Sequence, residues 1–198
     1  MPRVSRQQAD LNRETITEVS ARLFRERGIG GVSVADLMAA AGLTHGGFYG
    51  HFASKDALAA AACESAFAVS VERWKKRVAD GHEKESARRS IVDNFLSVKS
   101  RNSPGQSCPT AGLAVDVARE SEDAPVRKVF AEGLEQLLHI LEAVQAGRQA
   151  SENRRESLAD LATLVGAQIL ARATSQTALS EELLSAARAR LHRPQAAD

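Results

Sequence analysis

Residues 33–52 read Ser33-Val-Ala-Asp-Leu-Met-Ala-Ala-Ala-Gly-Leu-Thr44-His-Gly-Gly-Phe-Tyr-Gly-His-Phe52, and this stretch decides the fold. Ser33 followed three residues later by Asp36 resembles a capping box, with the Ser33 hydroxyl available to the first-turn amides, and predicts a short helix over 34–40. Ala41-Gly42-Leu43 forms a compact turn in which Gly42 tolerates the turn conformation. Thr44 is placed to cap a second short helix carrying Phe48, Tyr49 and Phe52. Leu37 and Met38 face a small core, Ala39 to Ala41 permit close approach, and Leu43 plugs the gap between the helices. Two short helices at a steep angle around a tight turn make a helix-turn-helix, whose second helix is laid in a DNA major groove.

Working outward, Ala9, Ile16, Val19, Leu23 and Phe24 fall at helical spacing upstream, and Gly28, Gly30 and Gly31 end that helix. Downstream, Ser54 caps a long helix expected over 55–78, with Asp80-Gly81 breaking it. Further helices are expected at 86–98, 109–119, 125–146, 155–173 and 181–191. Between them lie a turn-rich stretch, 100–107, and a polar one, 147–154. The parse is all-α: a three-helix helix-turn-helix module (1–54) on a larger helical domain (55–198). No repeat or low-complexity segment interrupts it.

Composition agrees. Apolar residues make up 43% of the 198 and aromatics 4%, which supports a real core and favours helices over a sandwich or barrel. Net charge is +1, so the whole chain carries no strong nucleic-acid signature. Arg3, Arg6, Arg13, Arg22, Arg25 and Arg27 nevertheless crowd the N-terminal stretch, diluted by Asp10, Glu14, Glu18 and Glu26. No apolar run reaches the roughly 20 residues needed to span a bilayer, and the N-terminus is not signal-like, so the cytoplasm is the expected compartment and no membrane partner is expected. Cys63 and Cys108 match no metal-site spacing, and neither a metal nor a cofactor is expected.

The segment from about Leu23 to Leu58 resembles the TetR family of transcriptional regulators. The resemblance rests on a helix ending near Arg27-Gly28, then Ser33-Val-Ala-Asp-Leu, Ala41-Gly42-Leu43-Thr44, Phe48-Tyr49-x-His51-Phe52 and Ser54-Lys55-Asp56-x-Leu58. It covers roughly the first 60 residues and implies a homodimer that binds a double-stranded, near-palindromic operator and is released by a small molecule. Ser33 and Thr44 stand at helix N-termini, where free amides favour phosphate oxygens. Tyr49 and His51 are candidate phosphate donors, Lys55 adds salt-dependent affinity, and His45, Gly46 and Gly47 occupy the base-facing positions. Phe48 and Phe52 read as core. Gly46 and Gly47 depart from what a reading helix needs. They offer no side chain for base contact, so either the backbone approaches the groove closely or shape supplies specificity.

Patterns in the larger domain are generic. Phe67, Trp74, Phe95, Cys108, Leu113, Val117, Phe130 and Leu134 are the candidates to line an apolar ligand cavity, each open to the alternative of ordinary core. Pro109 suits a first helical position, which puts Cys108 at an N-cap where amide dipoles favour thiolate. Cys108-Pro-Thr-Ala-Gly-Leu-Ala114 is also similar to a segment in one branch of the TetR family, some of whose members sense oxidants or electrophiles through a cysteine. An inert, partly buried thiol is the alternative, and Cys63 reads as core. Leu158, Leu161, Val165, Ile169 and Arg172, with Leu183, Leu184, Ala187 and Leu191, trace two stripes that suit either a dimer interface or burial within one chain. Two other function classes stay open: a thiol-dependent enzyme, though no Gly-rich phosphate loop or nucleophile elbow supports it, and a helical adaptor without DNA binding.

Overall fold

The computed structural model describes residues 6–145 and 149–192; Arg3 of the N-terminal arginine group, Ala146 and Gly147 lie outside them. Among the described residues the regular structure is helical throughout. The α-helices are α1 (Arg6–Arg27), α2 (Val34–Ala40), α3 (Lys55–Asp80), α4 (Lys84–Phe95), α5 (Val98–Asn102), α6 (Thr110–Arg119), α7 (Pro125–Val144), α8 (Ala150–Ala173) and α9 (Ala178–Leu191). Two 3₁₀ turns, His45–Gly50 and Pro104–Gln106, complete the set.

The N-terminal unit folds as its caps dictate. At α2, Ser33 Oγ accepts from Asp36 N at 3.1 Å while Ser33 N donates to Asp36 Oδ2 at 3.0 Å, a complete capping box. The helix ends with Gly42 in the left-handed region (φ 72°), Gly42 N bonding Ala39 O at 3.0 Å and Leu43 N bonding Met38 O at 2.9 Å. That pair of bonds is a Schellman stop, and it requires the glycine. Ile16, Phe24, Leu37, Met38, Phe48 and Leu58 are all but fully buried, so α1, α2, the first 3₁₀ turn and the start of α3 share one core.

Three expectations are corrected. The helix expected over 86–98 stops at Phe95, because Ser97 starts α5 by accepting from Ser100 N at 3.0 Å. The expected loop 100–107 is therefore partly helix. Most of the polar stretch from Ala150 on is the first turn of α8, where Arg154 reaches back to Glu135 (2.8 Å) and Glu142 (2.9 Å) on α7. Its polarity marks a solvated helix face rather than a linker.

The larger body is held by apolar packing and one buried ion pair. Arg88 on α4 bonds Asp160 on α8 at 2.8 Å and the Leu191 carbonyl on α9 at 2.6 Å. Gln145 Nε2 donates to the same Asp160 carboxylate at 3.1 Å. The pair is enclosed and multiply bonded, the condition under which a buried salt bridge is costly to break. The expected stripe on α8 splits in two. Leu161, Leu164 and Ala171 pack inside the chain, as do Leu184, Ala187 and Leu191 of α9. Arg172 also turns inward, donating to the carbonyls of Ala111 and Ser100. What α8 leaves outside is Leu158 (49% exposed), Ala162 and Leu170 (53% exposed).

Candidate nucleic-acid interface and ligand chamber

The second helix of the N-terminal pair is 3₁₀ rather than α. Gly46, Gly47 and Gly50 strip it of helix-favouring side chains, and six residues with i→i+3 bonds are the tightest way to present the turn. Thr44 stands at its N-cap position, but its hydroxyl makes no cap hydrogen bond, which corrects the capping role expected for it. Thr44, His45, Gly46, Gly47 and Tyr49 form one exposed face, and Tyr49 is 72% exposed. Phe48 and Phe52 anchor the opposite face in the core, with ring centroids 6.1 Å apart.

Flanking residues take different parts. Ser33 is exposed, but its hydroxyl donates to Asp36 Oδ2, and these bonds hold the Asp36 carboxyl below its ordinary pKa. A phosphate would compete with that carboxylate for the hydroxyl. His51 and Lys55 are half-buried at the end of the turn and the start of α3. Arg13, which sequence reasoning took only as part of a charge cluster, donates from α1 to the His51 carbonyl and lies 4.1 Å from the Phe52 ring centroid. It clamps the exposed turn to α1.

The second site is a partly enclosed chamber of about 240 Å³ in the larger body. Ser70, Arg73, Trp74 and Arg77 supply one wall from a single face of α3, at spacings of 3, 1 and 3. Phe95 closes α4, Lys99 comes from α5, and Gln106 to Cys108 form the far wall. Of the eight candidates for a ligand cavity, Trp74, Phe95 and Cys108 line it. Phe67 and Phe130 instead pack edge-on with centroids 5.3 Å apart, over Gly133, where a side chain would collide with the Phe67 ring. Leu113 and Val117 are core, and Leu134 is packed against that core. The cations Arg73, Arg77 and Lys99 were missed. The arginines share Trp74's helical face, which was the legible signal.

Cys108 is not an N-cap. Pro109 takes that position and α6 begins at Thr110, so the thiol lies one residue outside the helix end. Burial pushes the Cys108 thiol up; hydrogen bonds with Thr110 and Ser70 and the charge of Arg25 oppose this without overcoming it. The reactive thiolate expected there is therefore disfavoured. Cys63 is buried and pushed up to about 12 by the same desolvation.

The chamber's far wall touches the N-terminal unit directly. Arg25 of α1 donates to the Ser107 carbonyl at 2.9 Å. Gly105 sits against Arg22 and Glu26, where a Cβ would fall 2.8 Å from Arg22 Cγ. Gly28, at the end of α1 with φ 80°, lies beside Asp116 of α6.

A short-helix pair presenting an exposed polar face, joined by one long helix to a larger helical body, is the architecture of a helix-turn-helix DNA-binding regulator. Comparison with known proteins agrees. Residues 16–62 match the bacterial regulatory proteins of the tetR family. Over 63 residues the chain is 35% identical to the uncharacterized HTH-type transcriptional regulator YerO of Bacillus subtilis (strain 168), covering 32% of this chain and 22% of that one. Over 58 residues it is 38% identical to the HTH-type transcriptional regulator AcrR of Shigella flexneri, covering 29% of this chain and 27% of that one. The matched stretch thus spans about a quarter of these relatives. A TetR transcriptional regulator from Chloroflexus aurantiacus J-10-FL superimposes on 94% of the chain with a TM-score of 0.74 and 26% identity. Residues 16–62 thus carry the N-terminal segment of the tetR family of bacterial regulatory proteins, and the chain as a whole shares the fold of a TetR regulator. Among the described residues, no helix is long and apolar enough to cross a membrane.

Proposed function

We propose that this chain is a transcriptional repressor that binds a near-palindromic DNA operator as a homodimer and leaves it when a small molecule occupies the chamber. Residues 1–54 read the DNA, and residues 55–198 sense the effector and dimerise. Thr44, His45, Tyr49, His51 and Lys55 supply side-chain contacts, the backbone of Gly46 and Gly47 lies close to the groove, and the Ser33 end of α2 faces phosphate. The outward residues of α8, Leu158, Ala162 and Leu170, meet their counterparts across a two-fold axis.

The observation that carries the reading is the seam between sensor and reader. The wall 103–108 borders the chamber on one side and packs on α1 on the other, through Arg25, Arg22 and Glu26. A ligand that reshapes this wall repositions α1, and Arg13 holds the reading turn to α1. Release requires only that the ligand bind the displaced arrangement more tightly than the DNA-bound one.

The test is selection of bound fragments from the source genome by the purified protein, under reducing conditions at moderate salt. A two-fold-symmetric sequence is expected to be enriched, with affinity falling steeply as salt rises. Absence of enrichment above non-specific background would sink the reading and leave a helical adaptor in its place.

A further inference from the structure

The chamber's lining is chemically one-sided. Arg73, Arg77 and Lys99 face it together with Ser70, Ser97, Ser100, Ser103 and Ser107, and no acidic side chain is among the lining residues. Arg73 has the Gln106 carbonyl at 2.6 Å. Arg77 has only Ser90 Oγ at 3.5 Å, the outer limit of a hydrogen bond, and its buried Nε has no partner. A guanidinium at a cavity wall with its Nε unsatisfied is an incomplete arrangement, since buried polar groups are ordinarily paired. Behind the far wall stand two more arginines, Arg25 and Arg172, which bond backbone carbonyls there instead of carboxylates. Burial pulls the Arg25 guanidinium down to about 10, so it still carries its charge at neutral pH. Beside the arginines on α3 lies Trp74, edge to face with Phe95 of α4 at a centroid distance of 6.3 Å.

We propose that the chamber binds a small aromatic carboxylate, its anionic head held by Arg73, Arg77 and Lys99 and its ring laid against Trp74 and Phe95. The proposal rests on the regulator reading above and names the class of its effector. A cationic ligand would meet three positive charges with no counter-charge, and a neutral apolar one would displace water from those charges without supplying a counter-charge. The volume, about 240 Å³, falls just under the usual range of roughly 300–1,000 Å³ for small-molecule sites, which favours a compact ligand over a long acyl chain. The thiol of Cys108 then serves as a neutral part of the wall, held by Thr110 at 3.2 Å.

Trp74 is the sole tryptophan of the chain, so its fluorescence reports the chamber alone. The experiment titrates the full-length, DNA-free protein with benzoate, benzamide and benzylamine while following that emission. Benzoate is expected to change it saturably, with the amide and the amine at least tenfold weaker. Arg77→Gln and Lys99→Gln are each expected to weaken benzoate threefold or more, while Arg89→Gln, an exposed arginine on α4 outside the lining, leaves its affinity unchanged. Lys99 is exposed, so its variant keeps the test valid even if Arg77→Gln disturbs the fold, and unliganded Trp74 emission checks the wall in both. Benzamide binding as tightly as benzoate, both charge variants binding normally, or no saturable response to benzoate would each overturn the proposal. Because no DNA is present, such a failure is distinct from failure of the repressor reading, which the fragment selection decides.

Discussion

Replacing Gly46 and Gly47 by alanine separates what the fold needs from what the DNA needs. Both glycines have ordinary negative φ, so neither position demands glycine for its backbone. A Cβ at Gly46 meets nothing within 4 Å, and one at Gly47 meets Met38 Cε at 3.7 Å and Thr44 Oγ1 at 3.9 Å, ordinary contact distances. With no strain to offset it, each substitution is expected to stabilise the protein by about 0.4–1 kcal/mol, chiefly by restricting the unfolded chain. The double variant then gains roughly 1–2 kcal/mol, which in a chain of this size raises Tm by a few degrees. Its operator affinity is expected to fall at least tenfold, about 1.4 kcal/mol, because two methyl groups occupy the space into which the backbone must settle. Thermal unfolding and a fluorescence-anisotropy titration on the selected operator, at matched salt, measure the two effects. A double variant that is more stable and binds its operator as tightly as the parent would refute the close-approach argument.

The buried pair sets a second expectation: Arg88→Ala strands the Asp160 carboxylate and costs about 3–5 kcal/mol in chemical denaturation. The exposed pair of Arg89 with Glu85 is worth less than about 1 kcal/mol on Arg89→Ala. Gly133→Ala drives a methyl group into the rigid Phe67 ring and should cost about 1–3 kcal/mol by the same assay. Both thiols are held protonated, so native protein at pH 7.5 should react with iodoacetamide far more slowly than a free thiol does, with two equivalents reacting after unfolding. An unfolded thiol ionises near 9, whereas Cys63 keeps its proton to about 12. Its contribution is thus fully present below pH 9 and is lost as pH climbs toward 12. Cys63→Ala should accordingly show a shallower alkaline loss of stability than the parent.

The N-terminal unit was legible because its signals are local. Ser33, Asp36 and Gly42 act on neighbours within a few residues, so α2 runs over the expected 34–40 and stops by the expected glycine turn. The form of the next element was harder to read, since periodicity cannot tell a 3₁₀ turn from α in six residues. The chamber was legible only in part. Trp74, Phe95 and Cys108 were singled out as apolar or reactive types, whereas the arginines looked like solvated surface. Their role depends on α5, whose start rests on the single cap at Ser97, and on the fold of 103–108 over α1. Phe67 and Phe130 looked equally suited to a cavity. Gly133, on the next turn of α7, lets Phe67 fill that space with its own ring.

The seam at Gly105 has a mechanical consequence. Helix α1 is a stiff rod, and about 13 residues separate the Glu26 contact from the Arg13 clamp, roughly 20 Å along its axis. One end of the rod rests on the chamber wall and the other grips the reading turn. A slight tilt at the wall therefore becomes a larger sweep at the turn, as at the far end of a lever. A bulky side chain at position 105 would press on Arg22 and Glu26 as a permanent wedge under that end of the rod, displacing the reading turn whether or not the chamber is filled.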